Sequence, residues 1–64
     1  MIYLTRAQRV ALKKVYLRQK LYDENGKPLS YLSFRRYVVQ GYDCVMVPWS
    51  GMWLGIETDG YTHS

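Results

Sequence analysis

The chain of 64 residues has one cysteine, Cys44, and one histidine, His63. A single cysteine excludes an internal disulfide, and a structural zinc site takes four nitrogen or sulfur ligands, more than these two side chains provide. We therefore predict that neither a disulfide nor a metal stabilises the fold, and no cofactor is indicated. Cys44 is typical of a small buried hydrophobic residue.

The sequence also lacks the patterns that would indicate catalysis. It has no glycine-rich phosphate loop, and a Cys/His nucleophile pair would need a third group to orient its two side chains. Neighbouring carboxylates occur as Asp23 with Glu24 and as Glu57 with Asp59, which is typical of turns and helix caps. We therefore predict a non-enzymatic protein.

No hydrophobic run approaches the roughly 20 residues of a transmembrane helix. The apolar residues at positions 1–4 are too few for the core of a signal peptide, and the lack of a cysteine framework favours a reducing compartment. We expect a soluble cytoplasmic protein with no membrane contact.

Carboxylates are missing from residues 6–20, although that segment carries six cations: Arg6, Arg9, Lys13, Lys14, Arg18 and Lys20. The net charge is +4, and 48% of the residues are hydrophobic, enough for one folded core rather than a disordered chain. The segregated positive charge favours an anionic partner, but a solvated face that keeps the protein in solution would give the same pattern.

Two segments are predicted to be helical. Thr5 and Gln8 match a capping box, and an apolar face predicts a first helix over residues 6–20: Ala7, Ala11, Leu12, Val15 and Gln19. The polar turn at residues 23–28 ends it; a hairpin centred on Asn25–Gly26 is the alternative, disfavoured by Pro28. Residues 30–40 are either a second helix, capped by Ser30 and stopped by Gly41, or a strand, and the helix is the favoured interpretation.

Residues 44–57 alternate as a β-hairpin does. A two-residue turn at Ser50–Gly51 pairs Val45 with Ile56, Val47 with Leu54 and Trp49 with Met52, so these six apolar side chains share one face. The other face carries Cys44, Met46, Pro48, Trp53, Gly55 and Glu57. The Trp53 ring either covers Gly55, the favoured interpretation, or stays exposed. Asp59–Gly60 is predicted to be a further turn, followed by a short tail.

The sequence therefore predicts a single α+β domain over residues 1–64. One or two helices pack on a C-terminal two-stranded antiparallel hairpin, and residues 1–4 are a candidate third strand because an isolated hairpin is marginal in water. A free strand edge would also allow a homodimer by strand addition.

Two binding functions remain open. In the first, Arg6, Arg9 and Lys13 follow one helix ridge and contact nucleic-acid phosphates, Tyr16 or Tyr37 stacks on an unpaired base, and further cations extend the surface: Lys20, Arg35 and Arg36. Residues that read bases are scarce there, so binding would be non-specific. In the second, the aromatic hairpin binds a host or virion protein through Trp53, Met46 and Pro48.

Four blocks of the sequence carry a resemblance: TRAQRVALK at residues 5–13, FRR at 34–36, VMVPWSGMWLGIE at 45–57 and DGYTHS at 59–64. They are similar to blocks in short uncharacterised bacteriophage-encoded proteins. The resemblance implies a viral source and a place in the host cytoplasm or the virion, and it brings no catalytic residue.

Overall fold

The computed structural model describes residues 2–63, which form two helices and four strands. The helices are α1 (Arg6–Arg18) and α2 (Tyr31–Arg35), and the strands are β1 (Val39–Gln40), β2 (Cys44–Trp49), β3 (Met52–Glu57) and β4 (Thr62–His63). The strands form one antiparallel sheet in the order β1-β2-β3-β4, with α1 against β2 and β3 and α2 against α1. The predicted α+β class is confirmed, but the sheet has four strands rather than two.

Helix α1 begins where the capping box predicted. The Thr5 side chain accepts a hydrogen bond from the backbone N–H of Gln8, and Gln8 Oε1 accepts one from the Thr5 N–H at 2.9 Å. The helix ends at Arg18, before the predicted end at Lys20, because the backbone of the C-cap Gln19 is extended. Gln8 also does what the sequence did not predict: it is buried, and its Nε2 donates to the Ile56 carbonyl at 3.2 Å.

The segment between the helices contains one antiparallel bridge, between Tyr22 and Pro28. The hairpin centred on Asn25–Gly26, the less favoured interpretation of the sequence, is thus present as this single bridge. Pro28 is tolerated because the Leu29 N–H, and not the proline nitrogen, donates to the Leu21 carbonyl. The Asp23 carboxylate holds the turn by accepting two backbone N–H groups, both at 2.9 Å.

Residues 30–40 divide between the two interpretations. Ser30 caps a helix as predicted, but the helix ends at Arg35 and not at Gly41. Val39–Gln40 then forms β1 and pairs with the edge of β2. The favoured single helix is therefore wrong for the second half of the segment, because pairing with an open strand edge outweighs local helix preference there.

The register of the central hairpin is confirmed throughout, including Val45 opposite Ile56 and Met46 opposite Gly55. Ser50 and Gly51 have φ angles of 50° and 81°, the left-handed values that a two-residue type I′ turn requires. The inner face of the hairpin is buried at its base and half-exposed at its tip, where Met52 retains 52% of its accessible surface.

The outer strands differ from the prediction. Residues 2–4 form no strand, and Met1 lies outside the described residues; Leu4 is instead buried in the core. The predicted tail contributes β4, which pairs Thr62 with Ile56 and His63 with Gly55, while Ser64 also lies outside the described residues. Because β1 and β4 are each 2 residues long, they cover only the base of the hairpin.

The core lies between the inner face of the sheet and the helices. Its buried side chains come from every part of the chain: Leu4, Leu12, Val15, Phe34, Val38, Val45, Val47 and Ile56. Each fully buried aliphatic side chain contributes about 1.5–3 kcal/mol relative to exposure. So small a core leaves little reserve of stability.

Candidate nucleic-acid interface

Five cations from the two helices line one shallow depression, which we call the basic surface: Arg6, Arg9, Lys13, Lys14 and Arg35. The first four lie on α1, and α2 brings Arg35 beside them. The remaining lining residues are Val10, Leu17 and Tyr31, so no carboxylate takes part. Leu17 is 69% exposed, which makes the surface apolar as well as basic.

These cations form no ion pair with the carboxylates of residues 2–63. Across residues 2–63 no lysine or arginine pairs with a carboxylate; the Glu57 carboxylate instead contacts the His63 imidazole, with Oε1 3.1 Å from Nε2. Lys13 Nζ lies 5.7 Å from the centre of the Tyr31 ring, a cation–π contact that holds the ammonium group over α2 without cancelling its charge. The field of the five charges is therefore directed to solvent.

The position of the charges on α1 works against the helix itself. Its first turn has no acidic residue, and Arg6 and Arg9 lie near the positive end of the helix macrodipole. Each such cation destabilises an exposed helix end by roughly 0.3–1 kcal/mol. The capping box and the buried face of α1 must therefore hold the helix.

A second depression, the hairpin groove, lies between the C-terminal end of α1, residues 22–24, α2 and the hairpin tip. It measures about 1210 Å³, against about 570 Å³ for the basic surface, and is the roomier of the two. Its walls carry three cations, Arg18, Lys20 and Arg36, and two acids, Asp23 and Glu24. Three of its rings are at least half exposed: Tyr22, Tyr37 and Trp53 at 62%, 57% and 50%.

The structure divides the six cations predicted to bind nucleic acid. Arg6, Arg9, Lys13 and Arg35 meet on the basic surface, whereas Lys20 and Arg36 line the hairpin groove. The prediction missed Lys14 on the first surface and Arg18 on the second. Both fall in the carboxylate-free segment, so the charge pattern was a sufficient signal to include them.

One stacking prediction is wrong. Tyr16 cannot stack on a base, because its ring packs 5.5 Å from Tyr31 and 5.4 Å from Phe34 and its hydroxyl donates to the Leu29 carbonyl. Tyr37 does present an exposed ring.

The predicted protein interface is only partly assembled. Trp53 and Pro48 lie opposite each other on the outer sheet face and both line the hairpin groove. Met46 lies outside that groove, half-buried, with its Sδ 3.6 Å from the Sγ of Cys44, which is itself half-buried rather than buried as predicted.

The ring that covers Gly55 is that of His63, so the favoured position for Trp53 is wrong. A Cβ placed on Gly55 would lie 2.9 Å from His63 Cε1. Strand β4 brings the imidazole there, where it also stacks on Tyr61. Trp53 is left with half of its surface exposed.

The part of the chain that is described forms no metal centre, and its helices do not span a membrane. Within residues 2–63 no three side chains among His, Cys, Asp and Glu come together to hold a metal ion. The helices of the same residues are too short and too polar to span a bilayer.

No protein-family model, curated protein or solved structure matches the chain. Function is therefore inferred from the geometry and charge of the two depressions.

Proposed function

We propose that this protein binds the phosphate backbone of nucleic acid, without strong sequence preference, through the basic surface. The observation that carries the proposal is the convergence of five cations from two helices, none of them paired with a carboxylate among the described residues. Such a surface attracts a polyanion and gains free energy by releasing its counterions.

The spacing along α1 suits a phosphate chain. Arg6 and Lys13 are seven residues apart, which is about 10 Å along a helix axis. One strand of B-form DNA rises about 3.4 Å per nucleotide, so the two side chains bracket roughly three phosphates. Arg9 lies between them, and Arg35 adds a contact from α2.

The basic surface offers no side chain that reads adenine. None of its lining residues is Asn or Gln, the side chains that pair with adenine. The resemblance to bacteriophage-encoded proteins supports a role as an accessory protein in the host cytoplasm or in the virion.

Charge reversal at one surface position, compared with the same reversal elsewhere, tests the proposal. Arg9→Glu and Lys27→Glu each change the net charge by two, but Lys27 is exposed and lines neither depression. We expect Arg9→Glu to weaken binding of a fluorescently labelled DNA at least tenfold and Lys27→Glu to weaken it much less. Equal effects would mean that net charge alone matters and would contradict a defined surface.

The helix macrodipole favours the Arg9→Glu substitution, so this variant should keep its fold. A carboxylate near the N-terminal end of α1 is favourable where the guanidinium is not, so Arg9→Glu should melt no earlier than the unmodified chain. Circular dichroism of both variants supplies this control.

A protein-binding module remains the second candidate, and the outer sheet face supports it. Trp53 is half exposed there with Pro48 and Met46 on the same face, and tryptophan is enriched among residues that dominate protein interfaces. The partner would be a host or virion protein. Trp53→Ala would then abolish its binding while Arg9→Ala would have little effect.

A homodimer is the related possibility. The edge of β3 that faces away from β2 has no partner strand at Met52–Leu54 within residues 2–63. A second copy of the chain could add a strand there. Light scattering at increasing concentration measures this: a mass of twice 7.6 kDa supports strand addition, and an unchanged monomer mass contradicts it.

A further inference from the structure

The hairpin groove combines two chemistries that the basic surface does not. Its walls carry three rings that are at least half exposed, Tyr22, Tyr37 and Trp53, together with three cations. Exposed rings gain most from a flat apolar partner, and cations gain most from an anion. A chain that alternates flat rings with anions satisfies both.

We propose that the hairpin groove stacks the bases of single-stranded nucleic acid while the basic surface holds phosphates of the same strand. This inference rests on the proposed function and deepens it by naming unpaired nucleic acid as the substrate class. Bases within a duplex are already stacked on each other, so a duplex would leave the three rings uncovered. In a single strand the bases are free to stack on aromatic side chains.

The two depressions adjoin along both helices. On α1, Leu17 lines the basic surface and the next residue, Arg18, lines the hairpin groove. At the end of α2 the same transition occurs between Arg35, its last residue, and Arg36, its C-cap. A strand that leaves the basic surface therefore meets Arg18 on α1 and Arg36 just beyond α2 as it enters the groove.

The two acids of the groove do not exclude a polyanion. The three cations of the groove outnumber Asp23 and Glu24. The Asp23 carboxylate also holds its own turn by accepting two backbone N–H groups, at 2.9 Å each, whereas Glu24 is exposed and opposes a phosphate more directly. The proposal predicts that Glu24→Gln tightens single-strand binding, by about twofold to fivefold.

The test compares three ligands of equal length: a thymidine oligonucleotide, an abasic strand with the same phosphates, and a duplex. We expect the thymidine strand to bind about tenfold more tightly than the abasic strand, because base stacking on aromatic side chains accounts for that difference. Trp53→Ala should remove this preference. Tyr42→Ala should leave it intact, because Tyr42 is 97% exposed and lines neither depression.

Two further variants keep the test decisive if Trp53→Ala lowers the stability of the hairpin. Trp53→Phe retains a ring and should keep most of the preference for the thymidine strand. Tyr37→Ala removes a second ring of the groove outside the hairpin and should reduce the preference severalfold.

The outcomes separate this inference from the proposed function. Equal, salt-sensitive binding of all three ligands, unaffected by Trp53→Ala, would overturn single-strand stacking and leave backbone binding standing. Failure of all three ligands to bind at low salt would overturn both. The proposal requires that the protein prefers the thymidine strand, that Trp53→Ala removes this preference, and that Tyr42→Ala leaves it intact.

Discussion

The two ends of the β2–β3 hairpin are built from the same kind of alternating sequence but differ in what surrounds them. At the base, Val45 and Ile56 are fully buried, β1 and β4 flank the pair, and Gln8 of α1 donates to the Ile56 carbonyl. At the tip, Trp49 pairs with Met52 and no outer strand reaches them. The base therefore serves stability, and the tip leaves aromatic surface free for a ligand.

The largest effect expected from this difference comes from truncating one aliphatic side chain at each end. Ile56→Ala removes a side chain with 0% exposure and should destabilise the fold by about 2–5 kcal/mol, from lost burial and the cavity left behind. Met52→Ala at the tip should change the free energy of unfolding by less than about 1 kcal/mol, because half of that side chain is exposed. Urea denaturation measures both; comparable losses would erase the distinction.

Two glutamines extend the comparison to hydrogen bonds. Gln8 on α1 donates to the Ile56 carbonyl at the base, and Gln19, the C-cap of α1, donates to the Pro48 carbonyl near the tip. Gln8→Leu leaves the Thr5 N–H and the Ile56 carbonyl without their partner and should destabilise the fold by about 1–3 kcal/mol. Gln19→Leu removes only a long, half-buried contact of 3.4 Å to the Pro48 carbonyl. We expect the second variant to lie within about 0.5 kcal/mol of the unmodified chain. Thermal melting ranks the two, and the reverse order would contradict the account.

Two small effects of opposite sign are expected at the turn itself. Ser50 has a φ of 50°, a left-handed conformation that asparagine adopts more readily, so Ser50→Asn should stabilise the hairpin by about 0.5 kcal/mol. Gly51→Ala introduces a side chain at a φ of 81° and should destabilise the hairpin by about 1 kcal/mol. Calorimetry measures the change in stability of both variants. Changes of the same sign would show that the turn does not limit the stability of the tip.

The sequence predicted the features that depend on short-range rules. The capping box of Thr5 and Gln8 and the register from Cys44 to Glu57 follow from local spacing and period-two alternation, and both are present. Strand β4 was not predicted, and β1 was covered only by the disfavoured strand interpretation of residues 30–40, because two residues contain no periodicity. They form because the central hairpin offers open edges, which is a property of the folded chain.

The candidate site was predictable to the same extent. Arg6, Arg9 and Lys13 share a helix ridge, so helical spacing alone gathers them. Arg35 and Arg36 were placed together, yet they line different depressions, because consecutive residues of a helical turn point about 100° apart. Lys20 lies beyond the end of α1, where helical spacing no longer applies.

The salt dependence of DNA binding tests the central claim most directly. Affinity is measured by fluorescence anisotropy with a single-stranded oligonucleotide at several salt concentrations. If the five cations of the basic surface each neutralise one phosphate, the logarithm of the association constant should fall against the logarithm of salt concentration with a slope of about −3.5, and phosphates held in the hairpin groove would make the slope steeper. A flat response, or no binding at low salt, would contradict the proposed function.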